Sequence, residues 1–142
     1  MKKYLLLGIP AVLLFSSCDK EKSISVDDTP SEIKSYIQNH FPDEPILQVI
    51  KDKDGLVLTY DVLLEDMTSL EFNRKKEIQD IQSSKELPGS VIPDKIEAYV
   101  EERFAENYII GWELDDKNQQ VELDNGIDIE FKMDGSFVKI ED

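Results

Sequence analysis

Residues 30–41 lie on residues 93–104 without a gap. Pro30, Ile33, Tyr36, Ile37 and Phe41 recur as Pro93, Ile96, Tyr99, Val100 and Phe104. Spacings of 0, 3, 4 and 8 from the isoleucine make one stripe on a helix. Each proline falls where a first helical turn tolerates it. After each helix the apolar period changes from 3.6 to 2. Leu56, Leu58, Tyr60, Val62 and Leu64 alternate with Val57, Thr59, Asp61, Leu63 and Glu65, the pattern of a strand with one buried face. Asp52-Lys53-Asp54-Gly55 reads as a hairpin turn between that strand and residues 46–51, with Gly55 free to take positive φ. Asp115-Asp116-Lys117-Asn118 does the same between residues 109–114 and 119–123. Leu70-Glu71-Phe72 and Ile129-Glu130-Phe131 then match, followed by Ile78 with Phe137 and Ile81 with Ile140.

A chain that repeats itself in this order is constrained to one fold class. The expectation is α+β, built as two tandem helix-plus-four-stranded-antiparallel-sheet repeats at residues 30–82 and 93–142, joined by a connector at 83–92 around Pro88-Gly89. A lone unit of about 55 residues buries too little surface to be robust without staples. Each helix should therefore cross its own meander, with the two sheets adjoining or packing edge to edge. The shift between the copies falls from 63 residues at the helices to 59 at their ends. The shortening is expected in the central hairpin of the second copy, where Asp124-Asn125-Gly126 replaces Glu65-Asp66-Met67-Thr68.

The amino end has another logic. Lys2 and Lys3 precede the apolar run from Tyr4 to Phe15, and Ser16-Ser17-Cys18 follows. A positive start, about a dozen apolar residues and small residues before a cysteine make a lipoprotein signal rather than a membrane-spanning helix. Residues 1–17 are expected to be removed and Cys18 to carry the lipid. The mature chain would then hang in the cell envelope, on the periplasmic or cell-surface face, by a flexible polar tether at 18–29. Cys18 is the only cysteine, which excludes internal disulfides and cysteine-based metal clusters.

With 31 acidic residues against 16 basic ones the formal charge is −15, and loss of Lys2 and Lys3 makes it more negative still. Such a surface repels nucleic acid and anionic lipid and suits a cation or a basic protein partner. Catalysis through imidazole would fall to His40, the only histidine, at the end of the first helix. Its counterpart is Arg103, so both suit a cation at a helix C-terminus, and a histidine-based zinc site is excluded by the count. The loop from Asp52 begins like a calcium hand, but its twelfth position is Leu63, where a bidentate acid is required. No pair of carboxylates stands out for acid–base work. Trp112 and Tyr108 occur in one copy only. They are the candidate partner-contact residues, although Ile110, Trp112 and Leu114 equally describe a buried face.

The order Pro-x-x-Ile-x-x-Tyr-Ile, Phe41-Pro42, an Asp/Gly hairpin, Tyr60-Asp61-Val62 and Leu70-Glu71-Phe72-Asn73 resembles the PepSY-like proteins of bacterial envelopes, whose fold is similar to that of the beta-lactamase-inhibitor protein. The resemblance implies a non-enzymatic module, without cofactor, that grips a protein or peptide; an exported peptidase to be inhibited or chaperoned is the partner it suggests. The inhibitor's disulfides are missing, so none of its contact residues carries over. A lipid-anchored binding module is the leading expectation, and a low-affinity calcium- or cation-binding envelope protein is the alternative.

Overall fold

The computed structural model describes residues 20–141. The segment read as a signal, and Cys18, lie outside these residues. A short strand β1 (Lys22–Ile24) precedes helix α1 (Ser31–His40) and four strands: β2 (Ile46–Asp54), β3 (Val57–Leu64), β4 (Ser69–Phe72) and β5 (Ile78–Gln82). A 3₁₀ turn at Gly89–Val91 leads to helix α2 (Asp94–Arg103) and four more strands: β6 (Ile109–Asp115), β7 (Asn118–Leu123), β8 (Asp128–Lys132) and β9 (Phe137–Glu141). All nine strands form one antiparallel sheet in chain order. Two sheets adjoining or packing edge to edge were expected. Their joint is an ordinary ladder, in which Asp80, Ile81 and Gln82 of β5 face Glu113, Trp112 and Gly111 of β6.

Both helices lie on one face of this sheet, and the reason is visible in side chains. Ile33 and Ile37 of α1, and Ile96 and Val100 of α2, are buried together with Val49, Val62, Leu70, Phe72, Ile81, Val121, Ile129 and Phe131 from the strands. Burying each such side chain contributes about 1.5–3 kcal/mol. Tyr36 meets Phe72 edge-on at 5.4 Å, and Tyr99 meets Phe131 edge-on at 5.3 Å. The apolar stripe read from the sequence is thus the seam between helix and sheet, made with the same geometry twice.

Three details depart from the sequence reading. The segment expected to be a free tether is drawn into the fold: Lys22–Ile24 pairs with β2, and Thr29 is buried. Residues 65–68 and 124–127 make turns of equal length. Each closes with the same bonds, Leu64 N–H to Thr68 O and Leu123 N–H to Ile127 O, and Met67 and Gly126 hold the positive φ. The shortening therefore lies in the hairpin before. Ile46 pairs with Leu64 and Ile109 with Leu123, but β2–β3 runs on to Asp54 and Val57, whereas β6–β7 ends at Asp115 and Asn118. Each arm of the first hairpin is two residues longer, and its turn is Gly55-Leu56, not residues 52–55. Leu56, read as a member of the buried alternation, stands 93% exposed at the tip because the hairpin projects beyond the helix that covers its base.

Candidate functional site

Strand alternation puts the residues between the core positions on the face opposite the helices. The register then aligns them. Asp61 faces Glu71, Glu71 faces Asp80, and Asp80 faces Glu113, so one carboxylate from each of β3, β4, β5 and β6 stands in a row across the sheet. The row continues through Gln120, Glu130 and Lys139 on β7, β8 and β9. Like charges directly opposite one another destabilise a sheet. Here they occur at three consecutive pairings.

The electrostatics follow from that placement. Burial, then Glu113 and Glu71 beside it, push the Asp80 carboxyl up to about 6. Burial and the neighbouring carboxylates Asp61 and Asp52 raise Glu71, and burial with Asp52 and Glu21 raises Asp61. Asp128, in the adjoining row, is raised by burial and by Glu122, against a hydrogen bond from Gln120. The shared direction describes a field of negative charge that no cation among the described residues neutralises. One oxygen of Asp52 is buried with no hydrogen-bond partner in the same region.

A shallow groove of about 110 Å³ lies where the row crosses from β5 to β6, lined by Asp80, Gln82, Gly111, Trp112, Glu113, Gln120, Glu122 and Asp128. Its floor depends on Gly111. A Cβ there would lie 2.5 Å from the Gln82 side-chain oxygen and 3.2 Å from Cβ of Glu122. With no side chain in the way, Gln82 Nε2 donates across the glycine to Glu122 at 2.7 Å. The joint between the two halves is therefore closed by this side-chain bridge, and Gly111 beneath it is buried.

Of the residues singled out from the sequence, Trp112 alone borders this groove. Trp112 points to the helix side, where it is 8% exposed, and its indole N–H donates to Gln119 at 3.0 Å. Gln119 is itself buried and donates to the Lys132 carbonyl at 3.0 Å. The Trp112 ring thus belongs to the core, the buried-face reading of Ile110, Trp112 and Leu114. Tyr108 is 39% exposed just before β6, and its backbone N–H donates to Asp124. The structure does not bring the two together. His40 packs on Tyr36 with ring centres 4.4 Å apart and shares a 2.9 Å hydrogen bond with Ser90 of the connector. Arg103 lies over the Tyr99 ring at 5.1 Å. Both residues thus close the end of a helix against its own tyrosine, and His40 also pins the connector.

A larger cleft of about 220 Å³ runs beside that connector, lined by residues including His40, Asp66, Thr68, Ser83 and Lys85. Its polar groups already satisfy one another: the Thr68 and Ser83 hydroxyls are 3.0 Å apart, and Lys85 spans Asp66 at 3.5 Å and Glu44 at 3.8 Å. Among the described residues no group of three or more His, Cys, Asp or Glu side chains is disposed to hold a metal ion. No helix among them is long and apolar enough to cross a membrane.

The fold and its uncovered face define a class, an α+β protein that presents one side of a continuous antiparallel sheet. A family model described as "beta-lactamase-inhibitor-like, PepSY-like" matches residues 16–59 and 58–139, and the chain belongs to this PepSY-like family. The two matched regions meet inside β3 and so do not coincide with the units at 30–82 and 93–142. Three solved structures share the fold. A candidate periplasmic protein of the DUF2874 family from Bacteroides vulgatus is 28% identical, with a TM-score of 0.81, over 88% of this chain and 99% of its own. A second candidate periplasmic protein from the same species, of unknown function, is 28% identical with a TM-score of 0.80, over 86% and 99%. A candidate calcium-regulated periplasmic protein from Bacteroides thetaiotaomicron is 24% identical with a TM-score of 0.82, over 86% and 97%. Comparison with curated proteins gives no match.

Proposed function

We propose that this chain is a lipid-anchored, extracytoplasmic binding module of two tandem units, and that its uncovered sheet face receives a cationic segment of a protein or peptide. The observation that carries the reading is the row Asp61, Glu71, Asp80 and Glu113. Four carboxylates at mutually facing positions cost stability, and a basic ligand laid across them recovers it. A further feature supports it: the groove at the β5–β6 joint is lined by four carboxylates, Asp80, Glu113, Glu122 and Asp128. The extracytoplasmic setting draws on the signal pattern ending at Cys18 and on the periplasmic descriptions of the related structures.

The test is a titration of two peptides of equal length, one rich in lysine and arginine and one in aspartate and glutamate. Wild-type protein is compared with a variant carrying Glu71→Gln, Asp80→Asn and Glu113→Gln. The cationic peptide should bind wild type at least tenfold more tightly than the variant, with affinity falling as salt rises. Equal binding by both peptides, or unchanged affinity in the variant, overturns the reading. Calcium binds the same chemistry, so a separate millimolar titration serves as the control: heat from calcium without heat from the cationic peptide transfers the face to the metal.

A further inference from the structure

The sheet ends differently at its two edges. β9 is paired on one side only among the described residues, and its apolar side chains Phe137, Val138 and Ile140 are 44%, 38% and 44% exposed. Its counterpart in the first half, β5, is paired on both sides, by β4 and by β6. The molecule thus shows what a strand in this position accepts as a neighbour: the first strand of the following unit.

The opposite edge shows the complementary half of that joint. β2 is the counterpart of β6, and the edge that β6 offers to β5 is occupied on β2 by β1. The register is the same. Ile24 faces Val49 as Ile81 faces Trp112, and Ser23 faces Ile50 as Asp80 faces Glu113. β1 therefore sits where the last strand of a preceding unit would sit, with three residues supplied by the segment that enters the fold. In β9 the residues at the two equivalent positions are Ile140 and Lys139, fixed by their pairing with Ile129 and Glu130 as Ile81 and Asp80 pair with Leu70 and Glu71.

We propose that β1 is a plug on the edge of β2, and that the strand it holds off is β9 of a second copy, so that this fold associates head to tail. Charge favours that pairing over the alternatives. Docked in the register of β1, Lys139 stands against Ile50, beside Asp61, which faces Ile50 from β3. The joint inside the chain sets Asp80 against Glu113 and has no such complement. A two-fold pairing of β9 on itself centred on Lys139 would set lysine against lysine. Head-to-tail contacts repeat until they close a ring or run on as a filament, so the plug also limits growth. A segment joined to the fold by a short link competes at an effective concentration in the millimolar range. Against a second chain at micromolar concentration, β1 wins by about a thousandfold.

Disulfide trapping in the full chain, expressed in a bacterial envelope, tests this. Ile50→Cys and Lys139→Cys lie on strands seven spacings apart, about 34 Å at the usual interstrand distance, so a bond between them forms only between molecules. Combined with Ile24→Asp, which evicts β1 by placing a charge over the core, the pair should give a ladder of dimers, trimers and higher species. Their yield should be at least tenfold that of the same pair with Ile24 intact. Ile24→Gly, which removes the side chain and leaves the backbone, should give the same ladder at lower yield and covers the case in which Ile24→Asp does not fold. A lipidated Cys18 has no thiol to contribute, and the Ile50→Cys single variant reports any bond to unlipidated Cys18 and sets the background. No increase with either change at Ile24 overturns the proposal. A dimer formed by Lys139→Cys alone overturns it in favour of two-fold pairing.

Discussion

The two halves of the sheet agree on one face and disagree on the other. Toward the helices they are made alike: Tyr36 on Phe72 and Tyr99 on Phe131 differ by 0.1 Å in ring separation, and Ile81 and Ile140 hold equivalent places in the ladder. On the uncovered face, Asp61, Glu71 and Asp80 of the first half stand where the second has Gln120, Glu130 and Lys139. Lys139 lies 3.3 Å from Glu130 and also pairs with Glu141. The second half has a neutral residue, an acid and a base that satisfy local electrostatics, whereas the first keeps three acids in a row. Packing leaves the inner face little freedom, since a change of one methylene is felt there. The outer face is free of that constraint, and its row of acids runs through the first half and ends on Glu113 of β6.

Removing a ring from the core of either half tests their likeness most severely. Phe72→Ala and Phe131→Ala each empty a fully buried ring site and should cost about 3–5 kcal/mol. If the continuous sheet makes the halves one cooperative body, each variant shows a single urea transition shifted by a similar amount; two separate transitions would divide the molecule. A smaller effect should appear on the outer face. The Asp80 carboxyl titrates at about 6 in the fold, above its ordinary value of 3.8. The stability associated with its protonated form is therefore complete below about pH 4 and lost as pH rises through 6. Asp80→Asn should be more stable than wild type at pH 7 by about 1 kcal/mol, a figure reduced for solvent screening at a half-buried site, with the difference vanishing below pH 4. Lys139→Gln, at the equivalent position, should show no gain at pH 7, and thermal melts across that range measure both. The smallest change is expected at the hairpin tip, where Leu56→Ser should alter stability by no more than about 0.5 kcal/mol. A loss of peptide affinity in that variant would extend the binding face onto the longer hairpin.

The inner face was legible in the sequence because helix and strand periods are local. Ile33, Tyr36 and Ile37, or Tyr60, Val62 and Leu64, announce their burial within a few residues of chain. The outer row was not legible, since Asp61, Glu71, Asp80 and Glu113 become neighbours only through the pairing of four strands. A signal did exist: once the shorter arms are assigned to the β6–β7 hairpin, the shift of 59 residues begins at β3. Asp61, Glu71 and Asp80 then align with Gln120, Glu130 and Lys139. Placing the shortening one turn too late hid that correspondence. β1 escaped notice for a different reason. Three residues with a single isoleucine carry no period, and what holds them is an edge supplied by β2.

The capture of Lys22–Ile24 by the sheet also sets how far the protein stands from its support. Under the proposed attachment at Cys18, only the chain from Cys18 to Lys22 separates the lipid from the first strand, a reach of no more than about 14 Å at full extension. A leash running to Thr29 would have let the module sweep through a wide volume and tumble freely. With the leash cut short, β1 stays within that distance of the attachment point, and the volume through which the module moves shrinks accordingly.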